Sequence, residues 1–239
     1  MKGVFFSRTL TRGERIAGLI YYAFHVLVLP LLLNIVYFFL SAAGIQIQSE
    51  YVNLIYYAIG FVAVLIILHH FLIDNFDALW ARLVPCIGTM LLGLLAYYSL
   101  NYAVNFVIDA LFGSLSNPNN ESVMSMVEIN LNVSIVTTVL LGPLVEECLY
   151  RGVLFTAIGK RSRFLGYAAS SGLFALSHVY ISFFAGFDPR LFITAILYLP
   201  PGLVFCWMYE RSKSVFCCVF THMTINALAL WATSVAAAA

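Results

Sequence analysis

Long apolar stretches, each about as long as a membrane is thick, dominate this chain and restrict it to very few folds. A helix needs about 20 apolar residues to cross a hydrocarbon core of about 30 Å. Inside a bilayer every backbone N–H and C=O must be paired within the protein, so such stretches form helices. Only 10% of the 239 residues are charged, whereas a soluble domain carries about 25%. The sequence therefore predicts an all-α fold, a polytopic membrane helix bundle.

Seven transmembrane helices account for these stretches, although an eighth element or a re-entrant segment would also fit. The sixth stretch contains Pro200-Pro201-Gly202, where a helix is expected to break. The connection 113–131 is predicted to be a substantial polar loop. The chain is predicted to form a single membrane domain, 1–239, with a motif-bearing core at about 133–236. The predicted spans are 16–43, 52–73, 83–112, 133–159, 164–186, 191–209 and 214–236.

The basic residues favour one side of the predicted bundle at almost every turn. Cytoplasmic connections carry an excess of Lys and Arg, so the N-terminus is predicted to be cytoplasmic and the C-terminus to lie on the opposite side. The net charge is only +1 and there is no long basic run, which argues against a nucleic-acid partner. The basic residues on this side are Lys2, Arg8, Arg12, Arg15, Lys160, Arg161, Arg163, Arg211 and Lys213.

Three ionisable residues lie close together in the fourth predicted span: Glu146, Glu147 and Arg151. An ionisable group in the hydrocarbon costs roughly 2.5–3.5 kcal/mol on insertion scales, and it indicates function by default. On a helix, Glu147 and Arg151 lie about 40° apart, whereas Glu146 and Arg151 lie about 140° apart. Arg151 is therefore expected to pair with Glu147. Glu146 is left without a partner on its own helix.

Further polar residues lie in other spans: His178 in the fifth, and His222 and Asn226 on one face of the seventh. Counted from the cytoplasmic side at 1.5 Å per residue, Glu146 and His178 lie about 20 Å deep and His222 about 12 Å deep. They can meet in one layer, near the middle of the membrane or in its inner leaflet. Together they supply a base, a second acid or base, and two hydrogen-bond donors, as hydrolysis requires. Interhelical hydrogen bonding is the alternative reading of each one alone.

Three motifs occur in separate spans and in a fixed order over about the last hundred residues. In this pattern the chain resembles the CPBP family, which comprises the type II CAAX prenyl endopeptidases and the bacteriocin-processing and self-immunity proteins of bacteria. The first three spans resemble that family only in being hydrophobic. The motifs are Glu146-Glu147-x-x-x-Arg151, Phe174-x-x-x-His178 and His222-x-x-x-Asn226.

The resemblance implies an intramembrane endopeptidase with the matched residues in its active site. Glu146 with His178 would activate a water molecule. His222 with Asn226 would stabilise the oxyanion, and Glu147 with its arginine partner would support the site. The implied partners are membrane lipid and a hydrophobic or lipidated peptide substrate, including a prenylated CAAX-type peptide. The sequence leaves the oligomeric state open.

The cofactor stays open at this point, because the resemblance extends both to enzymes described as metalloproteases and to a metal-independent, glutamate-dependent type. If a divalent metal is used, zinc would be bound by Glu146, His178 and His222, although the chain has no H-E-x-x-H motif. The competing hypothesis is a non-catalytic protein. It would be an immunity or scaffold protein, or a small transporter that uses the buried charged residues.

Overall fold

Helices account for almost all of the regular structure. The computed structural model describes residues 10–186 and 188–238, and none of these residues forms a strand. The helices are α1 Arg12–Ala42, α2 Ser49–Ile67, α3 His69–Ala81, α4 Leu83–Phe112, α5 Pro118–Ile129, α6 Leu131–Gly159, α7 Arg163–Ser177, α8 Ser182–Ala185, α9 Arg190–Ile196, α10 Leu199–Ser212 and α11 Val215–Ala238.

Six helical segments among the described residues are long and apolar enough to cross a membrane. Each coincides with a predicted span, so the chain is an integral, multi-pass membrane protein and the predicted fold class is confirmed. They are Arg12–Ala42, Glu50–Ile67, Leu83–Phe112, Leu131–Gly159, Arg190–Ser212 and Val215–Val235. The remaining predicted span, the fifth at 164–186, holds α7, whose 15 residues extend only about 22 Å.

Helix α7 is short because two side chains hydrogen-bond to a carbonyl oxygen that would otherwise accept a backbone N–H of the next helical turn. The carbonyl oxygen of Phe174 accepts from Oγ of Ser177 at 2.8 Å and contacts Nδ1 of His178 at 2.7 Å. The backbone N–H of His178 bonds instead to the carbonyl of Ala175 at 3.3 Å, a pattern typical of a tightened last turn. His178 therefore lies at a helix end rather than in the middle of a span.

Two connections differ in how well the sequence predicted them. The expected break at the prolines is confirmed, because α9 ends at Ile196 and α10 begins at Leu199 with prolines in its first turn. The predicted polar loop at 113–131 is wrong for most of its length, since α5 occupies Pro118–Ile129. The side chain of Asn117 accepts a hydrogen bond from the N–H of Asn120 at 3.2 Å and so caps this helix.

Polar contacts tie helix ends together at one end of the bundle. Arg163 at the start of α7 pairs with Glu210 near the end of α10, with 2.7 Å between Nη2 and Oε2. Arg82 before α4 donates from Nη1 to the carbonyl of Ser212 at 3.2 Å. This end is named the basic end, and it comprises residues 11–14, 69–82, 160–163 and 210–215.

A second group of contacts joins the opposite ends of the helices. Tyr198 donates from its hydroxyl to Oδ1 of Asn117 at 2.9 Å, and Thr194 donates to the carbonyl of Ser116 at 3.4 Å. This end is named the α5 end, and it comprises residues 43–53, 113–131, 180–186 and 188–198.

The tightest packing lies between the centre of the bundle and the basic end. Here α7 and α10 approach so closely that a Cβ atom on Gly202 would lie 2.8 Å from Cα of Ser171, which no ordinary contact allows. Around this crossing the core side chains are at most 1% exposed. They include Arg151, Val153, Phe155, Phe205, Met208 and Cys218.

Candidate active site

Glu147 joins two functional helices through one of its oxygens. Its Oε1 atom lies 2.9 Å from Nη1 of Arg151 and 2.9 Å from Nδ1 of His222. The predicted pairing of Glu147 with Arg151 is thus confirmed, and both side chains are fully buried. The pair links α6 to α11 and sets the orientation of the His222 ring.

Aromatic rings surround the buried guanidinium of Arg151. Its central carbon lies 4.5 Å from the ring centroid of Phe174 and 5.1 Å from that of Phe205, within the range of cation–π attraction. The His222 ring stacks on Phe205 with centroids 5.0 Å apart. Nη2 of Arg151 also donates to the carbonyl of Gly202 at 3.3 Å. This ion pair thus holds α6, α7, α10 and α11 in register around the site.

Glu146, the neighbouring carboxylate, has a different partner. The hydroxyl of Tyr57 on α2 donates to Oε1 of Glu146 at 2.7 Å. Glu146 is half-buried, whereas Glu147 is fully buried. The two carboxylates therefore have separate surroundings, one neutralised by an arginine and one hydrogen-bonded to a neutral phenol.

Sequence reasoning did not identify Tyr57 as a site residue. It lies within an apolar span and outside the three motifs, and a tyrosine there is as readily explained by ring packing. Its neighbour Tyr56 does pack in that way, because its ring stacks on His25 with centroids 4.3 Å apart. Only the three-dimensional approach of α2 to α6 distinguishes the two tyrosines.

His178 is held in one orientation by its Nδ1 atom and by its ring. Nδ1 lies 2.7 Å from the carbonyl oxygen of Phe174, and a carbonyl can only accept, so Nδ1 carries the hydrogen. In the neutral ring the Nε2 atom then holds the lone pair. The ring stacks on Tyr198 with centroids 4.2 Å apart. His178 is therefore positioned to act as a base through Nε2.

Asn226 is anchored through its amide nitrogen, which donates to the carbonyl of Thr138 at 2.8 Å. Thr138 lies in a π-helical stretch, Ile135–Leu141, that precedes the glutamate pair. A side-chain amide has two N–H donors, so Asn226 can hold this carbonyl and still donate to a ligand.

One cavity of about 710 Å³ brings the four predicted catalytic residues together, since Glu146, His178, His222 and Asn226 all line it. Its volume is in the usual range for ligand pockets, about 300–1,000 Å³. Among the described lining residues, Glu146 is the only Asp, Glu, Lys or Arg. No hydrogen bond is recorded between the Glu146 and His178 side chains themselves.

Zinc binding by Glu146, His178 and His222 stays a prediction. Within residues 10–186 and 188–238, no three His, Cys, Asp or Glu side chains are grouped closely enough to hold a metal ion. A catalytic zinc takes three protein ligands. In this structure Oε1 of Glu146 accepts a hydrogen bond from Tyr57, and Nδ1 of His222 contacts Glu147.

Comparison with known proteins confirms the resemblance that the motifs predicted. Residues 128–228 match a family model described as type II CAAX prenyl endopeptidase Rce1-like. The matched stretch is under half of the chain, and it contains all six predicted site residues.

A protein of Bacillus subtilis (strain 168), named "Putative membrane peptidase YdiL", is 22% identical over 109 residues. That alignment covers 45% of this chain and 40% of the relative. No solved structure matches.

Proposed function

We propose that this protein is an intramembrane endopeptidase that hydrolyses a peptide bond with a water molecule activated by Glu146 and His178. The observation that carries the proposal is that one cavity within the helix bundle is lined by the carboxylate of Glu146, the imidazoles of His178 and His222 and the amide of Asn226. The family match over 128–228 adds support, because it includes each of these residues.

The proposed first step is attack of water on the scissile carbonyl carbon. Glu146 accepts one proton from the water, while its Oε1 atom keeps the hydrogen bond from Tyr57. In this scheme Nε2 of His178 is the second acceptor for a proton of the water, and it later passes that proton to the leaving amine. General acid–base catalysis of this kind contributes about 10²–10⁴-fold to the rate.

The proposed oxyanion site consists of Asn226 and His222. Asn226 offers its second amide hydrogen to the developing charge. Because Nδ1 of His222 contacts the Glu147 carboxylate, Nε2 donates to the oxyanion only when the ring is doubly protonated. Donors aimed at a developing oxyanion are typically worth about 3–4 kcal/mol each.

The proposed substrate is a hydrophobic, membrane-associated peptide. Seven tyrosines line the cavity, and its other polar lining groups are almost all uncharged. An extended backbone can bond to such groups, whereas a charged side chain would find only Glu146 to pair with. These tyrosines are Tyr37, Tyr56, Tyr57, Tyr97, Tyr150, Tyr180 and Tyr198.

Cleavage of a peptide library by the purified protein in detergent tests the proposal. Glu146→Gln and His178→Ala are each expected to lower the cleavage rate at least a hundredfold, because each removes a group that handles the proton. The matched control is Glu128→Gln, which changes an exposed glutamate on α5 that does not line the cavity. Full activity in both site variants would refute the proposal. Solute flux in proteoliposomes without any cleavage would favour the transporter hypothesis instead.

A further inference from the structure

The cavity lies in a definite half of the bundle. Most of the residues that line it lie in the parts of their helices that run toward the α5 end. On α11 the lining residues begin at His222 and continue away from the basic end to Thr233, and on α1 they continue to Tyr37. Asn119 and Asn120 of α5 itself line the cavity as well. The cavity therefore extends from the catalytic layer to the α5 end.

On the opposite side of the catalytic layer the bundle is closed. Phe205 lines the cavity on this side, Arg151 packs against its ring, and neither side chain is more than 1% exposed. Val153 and Met208 follow toward the basic end, and both are fully buried. Interiors packed in this way hold few voids larger than a water molecule, so this path does not admit a peptide.

The α5 end is connected to the catalytic layer through Tyr198. Its hydroxyl donates to Oδ1 of Asn117 at 2.9 Å, and Oδ1 of Asn120 lies 3.3 Å from the same hydroxyl oxygen. Its ring stacks on His178 with centroids 4.2 Å apart. Helix α5 thus lies over the cavity. The side chain of Tyr198 connects its N-terminal end to His178. A peptide approaching from this end meets neutral amide groups first.

We infer that the substrate reaches the site from the α5 end, which is the extracytoplasmic face when the basic end lies in the cytoplasm. The basic end carries Arg161, Arg163 and Arg211, and the excess of Lys and Arg marks the cytoplasmic side. The substrate class is then an uncharged, hydrophobic segment presented at the outer face, rather than a lipidated C-terminus presented in the cytoplasm. Calling the entering molecule a substrate rests on the proposed function. The direction of access to the cavity does not depend on it.

Labelling of introduced cysteines with a membrane-impermeant maleimide on intact cells tests the direction of access. The five native cysteines are all buried, so the unmodified protein gives the background. Ala229 lines the cavity, whereas Ala227, two residues away on the same helix, does not. We expect Ala229→Cys to react from outside at least tenfold faster than Ala227→Cys. Arg161→Cys, at the basic end, should react only after the membrane is permeabilised.

Three results would overturn the inference: reaction of Ala229→Cys only after permeabilisation or not at all, reaction no faster than that of Ala227→Cys, or reaction of Arg161→Cys from outside. Thr233→Cys, a second cavity position, provides the same test if Ala229→Cys does not fold. Labelling needs no catalysis. A protein that labels as expected but cleaves no peptide in detergent would therefore refute the proposed function and leave the direction of access supported.

Discussion

Replacing Arg151 by methionine isolates the contribution of the buried ion pair. Methionine is a long apolar side chain that can still pack between Phe174 and Phe205. It lacks the positive charge that neutralises Glu147. Glu147 would keep only His222 as a partner, because its Oε2 atom has no hydrogen bond to any described residue. Breaking a buried pair by removing one partner costs about 3–5 kcal/mol of the free energy of unfolding.

Two matched variants show whether this cost comes from the buried charge. Arg163→Met breaks the Arg163–Glu210 pair, whose arginine side chain is 60% exposed, and exposed pairs contribute at most about 1 kcal/mol. The double variant Arg151→Met with Glu147→Gln leaves no uncompensated charge. It is expected to recover a large part of the lost stability.

The buried cysteines provide the assay. All five become accessible when the protein unfolds, so a thiol-reactive fluorophore reports thermal unfolding in detergent. With about 2–4 °C per kcal/mol for a chain of this size, Arg151→Met should lower the unfolding temperature by roughly 6–20 °C. An equal loss in Arg151→Met and Arg163→Met, or no recovery in the double variant, would refute the reasoning.

Three further predictions concern the hydrogen bond to the base, the helix crossing and the metal. Tyr57→Phe removes the bond to Glu146 and should lower kcat about ten- to a hundredfold. Tyr51→Phe, on the same helix but outside the cavity, should retain activity; equal rates would contradict this role. Gly202→Ala places a Cβ 2.8 Å from the facing backbone and should cost about 1–3 kcal/mol. Gly172→Ala, with open space around it, should unfold at or slightly above the wild-type temperature, because alanine favours the helix; a loss matching that of Gly202→Ala would refute the crossing argument. Cleavage should persist in a strong chelator, and its loss with recovery on adding zinc would contradict metal independence.

The fold class and the buried pair could be predicted from the sequence because both depend on local rules. Apolar length predicts membrane helices, and the spacing of Glu147 and Arg151 predicts a shared helix face. The short helix α7 could not be predicted, because hydropathy does not show that Ser177 and His178 would take the carbonyl of Phe174. Its apolar pattern continues through 164–186 although the helix ends earlier.

Two features of the site depend on contacts between helices that are distant in the sequence. Tyr57 meets Glu146 across 89 positions of the chain, and periodicity within either helix carries no sign of that contact. Helix α5 looks like a polar loop because Asn117, Asn120 and Glu121 dominate its start. Its role over the cavity emerges only from the hydrogen bonds that Tyr198 makes to it.

A single-turnover cleavage in ¹⁸O-labelled water tests the central claim most directly. The protein is mixed in molar excess over a hydrophobic peptide, and the masses of the products and of the protein are measured by mass spectrometry. Direct attack by a water activated by Glu146 predicts one ¹⁸O atom in the new C-terminal carboxylate of the product and none in the protein, with no product from Glu146→Gln. Product formed by Glu146→Gln at the wild-type rate, or ¹⁸O found in the Glu146 side chain in place of the product, would contradict it.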